Sequence, residues 1–404
     1  MAAPNDDSSN DCQASESVKQ AMIDALADKE TMFKNISVGF NENYYNNNRN
    51  NCTTSTTPFC PRWPVTMVRK RDFSVSKEEI GLIGDKENQL GERSYEYGAS
   101  WVEHYYCNLV TLCKQQDRMD LVRMLYHWYI AQFSLDYMND VAMLSKEQYM
   151  YASNVLQPEN SADSRKSTAI QEHRFASQLQ ACRDLMQEHD NALHSLPTVA
   201  ANKISGALKD FYEAVAQQCD AQKRDGRFES DDHCASALLD SMSMNEYMDY
   251  RTINAGGLMG FVRQTCIIAM LDSTTANESF VFPPTDRLQR VSHLVGKNVA
   301  LINDLYGLRK DKLSGEPNIV LKHARETRRS RGNDSEGSKE ATPSEASVSW
   351  ALEEIGQTVI RVELYCKEHP DCLVAKHNIA MSCISGNHGF HESSKRYELP
   401  KGFS

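Results

Sequence analysis

Apolar residues recur at helical spacing along most of the chain, and strand-type alternation of useful length is absent. Tyr95 to Gln115 carries apolar and aromatic residues with this period and predicts a helix. Leu121 to Leu144 predicts a long helix with almost no polar face in its middle, the signature of a helix surrounded by protein. Ala169 to Glu188 and Ala200 to Gln222 predict two more, preceded by a polar, proline-led loop at Pro158 to Lys166 and followed by a charged loop at Lys223 to Asp232. Ser241 to Met270 is helical but interrupted by Ala255-Gly256-Gly257. Pro283-Pro284 marks a turn, and Asp286 to Leu308 is a further long helix. Val348 to Lys367 and Cys372 to Ser385 resume the helical pattern, with a turn expected at Gly386 to Gly389.

Two stretches break the pattern. Residues 1 to 60 are polar, with an Asn- and Tyr-rich run from Asn41 to Asn51 and a turn-prone run from Thr53 to Pro58, and read as a disordered tail. Pro61, Trp63 and Pro64 begin the ordered body. Arg325 to Ser347 is rich in Ser, Glu, Gly and Arg and reads as a mobile surface insert. The expected architecture is one all-α domain over residues 61–404, of roughly ten helices.

Charge narrows the choice of partner. Lys and Arg number 44 against 55 Asp and Glu, a net charge of −11. Such a chain lacks the basic face that nucleic-acid binding or attachment to an anionic membrane surface requires. A polyanionic substrate would then need a local cluster of cations, helped by metal. The 12 Cys are scattered, with no Cys-x-x-Cys pair and no zinc spacing, and read as reduced thiols. The first residues hold no apolar signal segment, and no stretch approaches a membrane-spanning length. The expectation is a cytoplasmic protein with no membrane span, in which Asn-x-Ser/Thr matches carry no meaning.

Four segments carry candidate chemistry. In Asn303-Asp304-Leu305-Tyr306-Gly307-Leu308-Arg309-Lys310-Asp311, Asn303, Gly307 and Asp311 fall at i, i+4 and i+8 on one helix face. Asn303 and Asp311 offer the hard oxygens that Mg²⁺ prefers, Gly307 leaves space for a water, and Lys310 can reach a phosphate. In Phe133 to Asp140, Asp136 and Asp140 share a face inside the most apolar helix, where carboxylates must be paired, hydrogen-bonded or metal-bound. In Tyr247 to Gly257, a helix breaks just after Arg251, a fixed cation with a fork suited to phosphate. The fourth segment is the pair Arg396-Tyr397 near the C-terminus. Plainer readings exist for each segment alone, namely solvated helix faces, a helix emerging into water at Asp136, and a surface arginine before an ordinary turn.

Taken in order, the four segments resemble class I terpene synthases of the bacterial and fungal kind, over about residues 60 to 400. Asn303, Asp304, Lys310 and Asp311 match the second metal motif, with Gly307 where Ser or Thr is commoner and Asp311 where Glu is commoner. Asp136, with Phe133 upstream, matches the aspartate-rich motif, except that Tyr137 stands where a second Asp is expected. Arg251 resembles the diphosphate-sensing arginine, with Asn254 and Ala255 at the linker and effector positions. Arg396-Tyr397 resembles the C-terminal Arg-Tyr pair.

The resemblance implies a class I terpenoid synthase-like helical bundle with a central active-site cavity. It also implies a cluster of three Mg²⁺ ions, replaceable by Mn²⁺, and a linear isoprenyl diphosphate such as farnesyl or geranylgeranyl diphosphate, cyclised to a sesquiterpene or diterpene. Asp136, Asn303, Gly307 and Asp311 would form the metal site, with Asp140 as a ligand or supporting group. Arg251, Lys310, Arg396 and Tyr397 would meet the diphosphate. Trp128, Tyr129, Phe133, Phe211 and Tyr212 are candidates for lining the hydrocarbon pocket. A homodimer is compatible with it. Glu229-Ser230-Asp231-Asp232 resembles the acid motif of protonation-initiated cyclases, but it begins with Glu and lies in a charged loop. The rivals are a chain-elongating prenyltransferase, which would carry two Asp-rich motifs, and a catalytically degenerate helical binding protein.

Overall fold

The computed structural model describes residues 76–80, 82, 90, 92–142, 144–153, 175–224, 241–276, 285–314, 318–330 and 345–393, all within the unit Trp63–Arg396. Among the described residues there are thirteen α-helices and no strand. In chain order they are α1 (Glu92–Tyr105), α2 (Cys107–Gln115), α3 (Met119–Ala142), α4 (Lys146–Ala152), α5 (Ala176–His194), α6 (Thr198–Arg224) and α7 (Met244–Asn254). There follow α8 (Gly257–Ala276), α9 (Thr285–Ser314), α10 (Ile319–Ser330), α11 (Glu345–Glu368), α12 (Leu373–Lys376) and α13 (Ile379–Ser393). No described helix is long and apolar enough to cross a membrane. Every described cysteine is a free thiol.

Two helices have a stretch that is buried on all sides. Met124 to Ala131 on α3 and Arg263 to Leu271 on α8 are buried without a break, so neither helix turns a stripe to solvent there. α3 packs against α1, α2 and α5, while α8 packs against α6, α9, α13 and α2. α13 joins the two groups, because it touches α1 on one side and α8 and α9 on the other. α7 and α10 pack on α9 and on each other, and that corner holds the candidate site. Capping boxes start the short helices α4 and α7: Ser145 and Gln148, and Ser243 and Glu246, satisfy each other's exposed backbone N–H groups.

The expected single helix Tyr95–Gln115 is two, divided at Tyr106, and the pattern over Cys372 to Ser385 falls on α12 and α13. Two expectations need correction. The turn expected at Gly386 to Gly389 is the interior of α13. The glycine at 386 serves close approach instead of a turn: a Cβ there would lie 2.1 Å from the carbonyl oxygen of His104 and 2.9 Å from the Cα of Tyr105. Glycine costs helix stability, and here the offset is a backbone-to-backbone contact between α13 and α1. The insert expected at Arg325 to Ser347 is shorter than its composition suggested. Arg325 to Ser330 completes α10 and Glu345 to Ser347 opens α11. The rest of that segment, the tail over residues 1–60, the loop Pro158–Lys166 and the Pro283-Pro284 turn lie outside the described residues.

Gly386→Ala is expected to destabilise the protein by about 2 kcal/mol or more, since neither backbone can move away cheaply. Urea denaturation followed by circular dichroism measures this, and a loss within about 0.5 kcal/mol would show that α1 and α13 can separate without penalty.

Candidate functional site

The helix break is built first. Ala255 N–H bonds to the Arg251 carbonyl (2.9 Å), and Gly256 N–H bonds to the Ile253 carbonyl (3.0 Å), closing α7. Gly256 has φ +76°, the left-handed conformation that ends helices and that glycine adopts without strain. Gly257 then starts α8 pressed on α9, where its Cβ would lie 2.5 Å from Val299 Cβ. The carbonyl of Gly257 accepts a bond from Tyr105 Oη at 2.8 Å. The break is therefore a fixed feature, held by α9 on one side and an aromatic residue on the other.

Arg251 lies one turn before the break and is buried. Its Nε donates to Asp304 Oδ2 at 3.1 Å, its Nη2 to Asp304 Oδ1, and its Nη1 to Asn254 Oδ1. Asp304 has no solvent exposure and is shared by three elements. Besides Arg251 it takes the backbone N–H of Ile319 at 2.7 Å, the first turn of α10. Burial alone would pull the Arg251 pKa down, but the charge and hydrogen bonds of Asp304 outweigh it and hold the guanidinium above its ordinary value.

Asn318 ties the same corner together. Its Nδ2 donates to the Asp304 carbonyl and to Asp311 Oδ2, each at 2.7 Å. Its Oδ1 accepts from Val320 N–H at 2.9 Å and Leu321 N–H at 3.3 Å, capping α10. Tyr247 on α7 is fully buried, and burial pushes its hydroxyl pKa up, against the pull of Arg251. Among the described residues neither the Tyr247 hydroxyl nor the Asn254 Nδ2 has a hydrogen-bond partner. Asn318 and Tyr247 were missed as site residues in the sequence. For Asn318 the signal was an Asn directly before the apolar run Ile319-Val320-Leu321, a helix-cap pattern; for Tyr247 there was none.

Arg251, Asn303, Asp304 and Asp311 thus meet at one junction of α7, α9 and α10. Asn303 is partly buried, and its Oδ1 lies 3.2 Å from His391 Nε2. The Nδ1 of His391 lies 2.8 Å from the Asn387 carbonyl. Burial lowers the His391 pKa to about 3, so the ring is neutral and has one N–H, which the shorter contact takes. Asp311 is buried beside Gly307, where a Cβ would lie 2.8 Å from Asp311 Oδ2 and 3.2 Å from Oδ1. This corrects the expectation of a water at Gly307: the space that glycine leaves holds the Asp311 carboxylate itself.

Asp136 is placed on α3, partly buried, next to Tyr137, which is 51% exposed. α13 connects its surroundings to the junction. Phe390 packs on Phe133, one turn before Asp136, with ring centroids 5.7 Å apart, and the next residue is His391. Asp140 and Lys310 are helical residues of α3 and α9 whose side chains lie outside the described residues, as do Arg396, Tyr397 and the segment Glu229 to Asp232. Among the described residues no three His, Cys, Asp or Glu side chains form a metal-holding cluster. Asn303 and Asp311 fit Mg²⁺ by donor chemistry, since that ion takes one or two protein oxygens and completes its shell with water and phosphate.

An aromatic belt runs beside the break. Phe211 touches the space above Gly256, its Cε2 3.4 Å from where a Cβ would be. Trp128 lies against Phe211 with centroids 5.6 Å apart, and its Nε1 donates to Tyr212 Oη at 2.7 Å. Tyr129 and Tyr106 share a hydrogen bond of 2.7 Å. Trp128, Tyr129, Phe211 and Tyr212 are all buried, and Phe133 partly so. His189 on α5 is buried in this region, and burial lowers its pKa to about 4 against the bond from its Nδ1 to Asp190 Oδ1 at 3.0 Å.

No protein-family model matches the chain, no curated protein is detectably similar to it, and no solved structure matches its fold.

Asp304→Ala is expected to cost about 3–5 kcal/mol, because it leaves a buried guanidinium without its charge partner. The double variant Arg251→Met/Asp304→Leu is expected to recover most of that loss. Urea denaturation of the three proteins measures it, and a double variant as unstable as the single one would show that the pair does more than cancel its own charges.

Two of the buried histidines, His391 and His189, set a pH dependence. Their folded pKa values, about 3 for His391 and about 4 for His189, lie below the ordinary 6.5, so the unfolded chain binds more protons between those limits. Their contribution to stability is present above pH ~6.5 and is lost as the pH falls towards the folded values, by about 1.4 kcal/mol per pH unit for each ring. His391→Gln and His189→Gln are each expected to flatten the decline of stability from about pH 6.5 to about pH 5 by one proton. Unchanged slopes in urea titrations would show that these rings are charged in the folded protein.

Proposed function

We propose that this chain is a class I terpene synthase, a metal-dependent lyase that ionises a linear isoprenyl diphosphate and directs the resulting carbocation. The observation that carries this reading is the junction itself. A helix-break arginine and the Asn303, Asp304 and Asp311 set are far apart in sequence, and they share one buried corner. An all-α architecture and an aromatic belt seated on the break support the same reading.

Asn303 and Asp311 would hold Mg²⁺ on the α9 side, with Asp136 on α3 as the opposing ligand. The metal would neutralise charge developing on the departing diphosphate. Around it, the residues of this chain have separable tasks. Asn318 fixes the Asp311 carboxylate by a direct bond of 2.7 Å. Asp304 orients Arg251, whose Nη1 is held only by the neutral Asn254 and is the donor most easily exchanged for a phosphate oxygen. The buried rings of Phe211 and Tyr212 exclude water beside the break and offer polarisable faces to a cation.

The test is to incubate the full chain with Mg²⁺ and, separately, geranyl, farnesyl and geranylgeranyl diphosphate, with gas chromatography–mass spectrometry of hexane extracts. A cyclic hydrocarbon or alcohol from one substrate, abolished by EDTA, is expected, and its carbon count decides between sesquiterpene and diterpene chemistry. Asn303→Ala and Asp311→Ala are expected to lose turnover by about two orders of magnitude or more while keeping their helical circular dichroism. Longer linear diphosphates formed only with added isopentenyl diphosphate would instead identify a chain-elongating prenyltransferase. No product from any substrate, or full activity in both variants, would refute the assignment.

A further inference from the structure

α8 carries a second buried arginine that the junction does not use. Arg263 has no solvent exposure, and among the described residues none of Nε, Nη1 and Nη2 has a hydrogen-bond partner. Its guanidinium carbon lies 4.5 Å from the centroid of the Trp128 ring and 5.7 Å from that of Tyr129. Ring faces attract the charge, but they leave the five N–H groups of the fork without acceptor oxygens. Polar groups buried this way are rare in folded proteins, and a buried unpaired charge is rarer still.

The surroundings are polar on the same stretch of helix. Among the described residues Gln264 Nε2, on the next residue, has no acceptor either, while its Oε1 takes the Cys383 thiol at 2.9 Å. One turn earlier, Gly260 faces the bonded hydroxyls of Tyr106 and Tyr129, each 3.2 Å from where its Cβ would lie. The acids on the neighbouring α5 are engaged elsewhere: Asp190 with His189 Nδ1 at 3.0 Å, and Glu188 with His127 at 3.3 Å. The described surroundings thus leave a buried guanidinium against two aromatic rings without an acceptor.

We propose that Arg263 is the anchor of an internal oxyanion-binding site where α8 faces Trp128 and Tyr129 of α3. The planar fork fits a phosphate-type anion or a carboxylate through two parallel bonds. The low-dielectric surroundings strengthen each of those bonds relative to water. Arg251 is not this anchor, since it lies on α7 at the junction, bonded to Asp304 and Asn254, and not against Trp128 and Tyr129. The site does not depend on the proposed lyase reaction, and it would stand if no isoprenoid product formed.

The experiment is thermal unfolding of the full chain, followed by circular dichroism, in chloride buffer and with sodium phosphate, pyrophosphate or acetate at equal ionic strength. At least one oxyanion is expected to raise the Tm of the natural protein saturably, by about 2 °C or more, and to leave Arg263→Met unmoved. The anion that acts separates a phosphate-type ligand from a carboxylate. Without anions, Arg263→Met is expected to melt at or above the natural protein, because it removes an unpaired buried charge. Arg263→Gln is the second variant, keeping a polar side chain without the charge. No shift in the natural protein with any anion, or equal shifts in the natural protein and the Met variant, would overturn the proposal. Failure of both variants to fold, together with no anion response in the natural protein, would assign Arg263 a purely structural role.

Discussion

The corner formed by α7, α9 and α10 depends on one buried ion pair. The side chains of Arg251 and Asp304 are 7% and 0% exposed, so both charges have left water almost completely. Each would be expensive alone, and their attraction offsets the cost with the help of further hydrogen bonds to both side chains. Asn254 takes the third guanidinium nitrogen, and Ile319 N–H and the Arg251 fork share the Asp304 carboxylate. The pair therefore constrains backbone as well as side chains. α7 cannot shift along α9 without exposing a charge, and α10 cannot leave without uncapping its own first turn. The helix break at Gly256 follows within the same packed unit, which is why it can be sharp without being loose.

Much of this was legible in the sequence. Helical periodicity placed most of the long helices, and the near-absence of a polar face in Leu121 to Leu144 marked α3 as central, as its unbroken burial from Met124 to Ala131 bears out. The small residues at Ala255 to Gly257 located the break because their conformational demands are local. Gly386 and Gly389 misled for the same reason in reverse. Local composition suggests a turn, whereas Gly386 answers to a backbone in another helix, 282 residues away at His104 by chain number. The insert at Arg325 was overextended because charged and small residues are compatible with the exposed side of a helix end. Arg328 and Arg329 fall in the last turn of α10, where positive charge meets the helix dipole favourably.

The candidate site was half legible. Motif spacing identified Asn303 and Asp311, because a fixed helical period puts i, i+4 and i+8 on one face, and the helix break identified Arg251. The partner that bonds both Asp304 and Asp311 comes from another segment, Asn318 on the turn into α10. Its role arises from packing between helices, and no period in a single segment encodes that. Gly307 shows the limit most clearly. Spacing indicated an open position on the ligand face, and the three-dimensional arrangement fills that position with the neighbouring carboxylate.

The two buried arginines are opposites in chemical state, and the contrast bears on what the bundle can hold. Arg251 has its whole fork committed to groups of the chain, which makes it a fastener that a ligand must compete with. Arg263 has its fork committed to nothing but aromatic faces. The faces of Trp128 and Tyr129 that would best stabilise a carbocation thus already attract a permanent cation. A second positive charge brought against the same rings would be repelled by Arg263 unless an anion lay between them. A cation-guiding pocket in this bundle therefore has two physically consistent forms. Either the reactive carbons stay on the Phe211 and Tyr212 side, next to the break, or an anion at Arg263 compensates the charge and opens the Trp128 side to them.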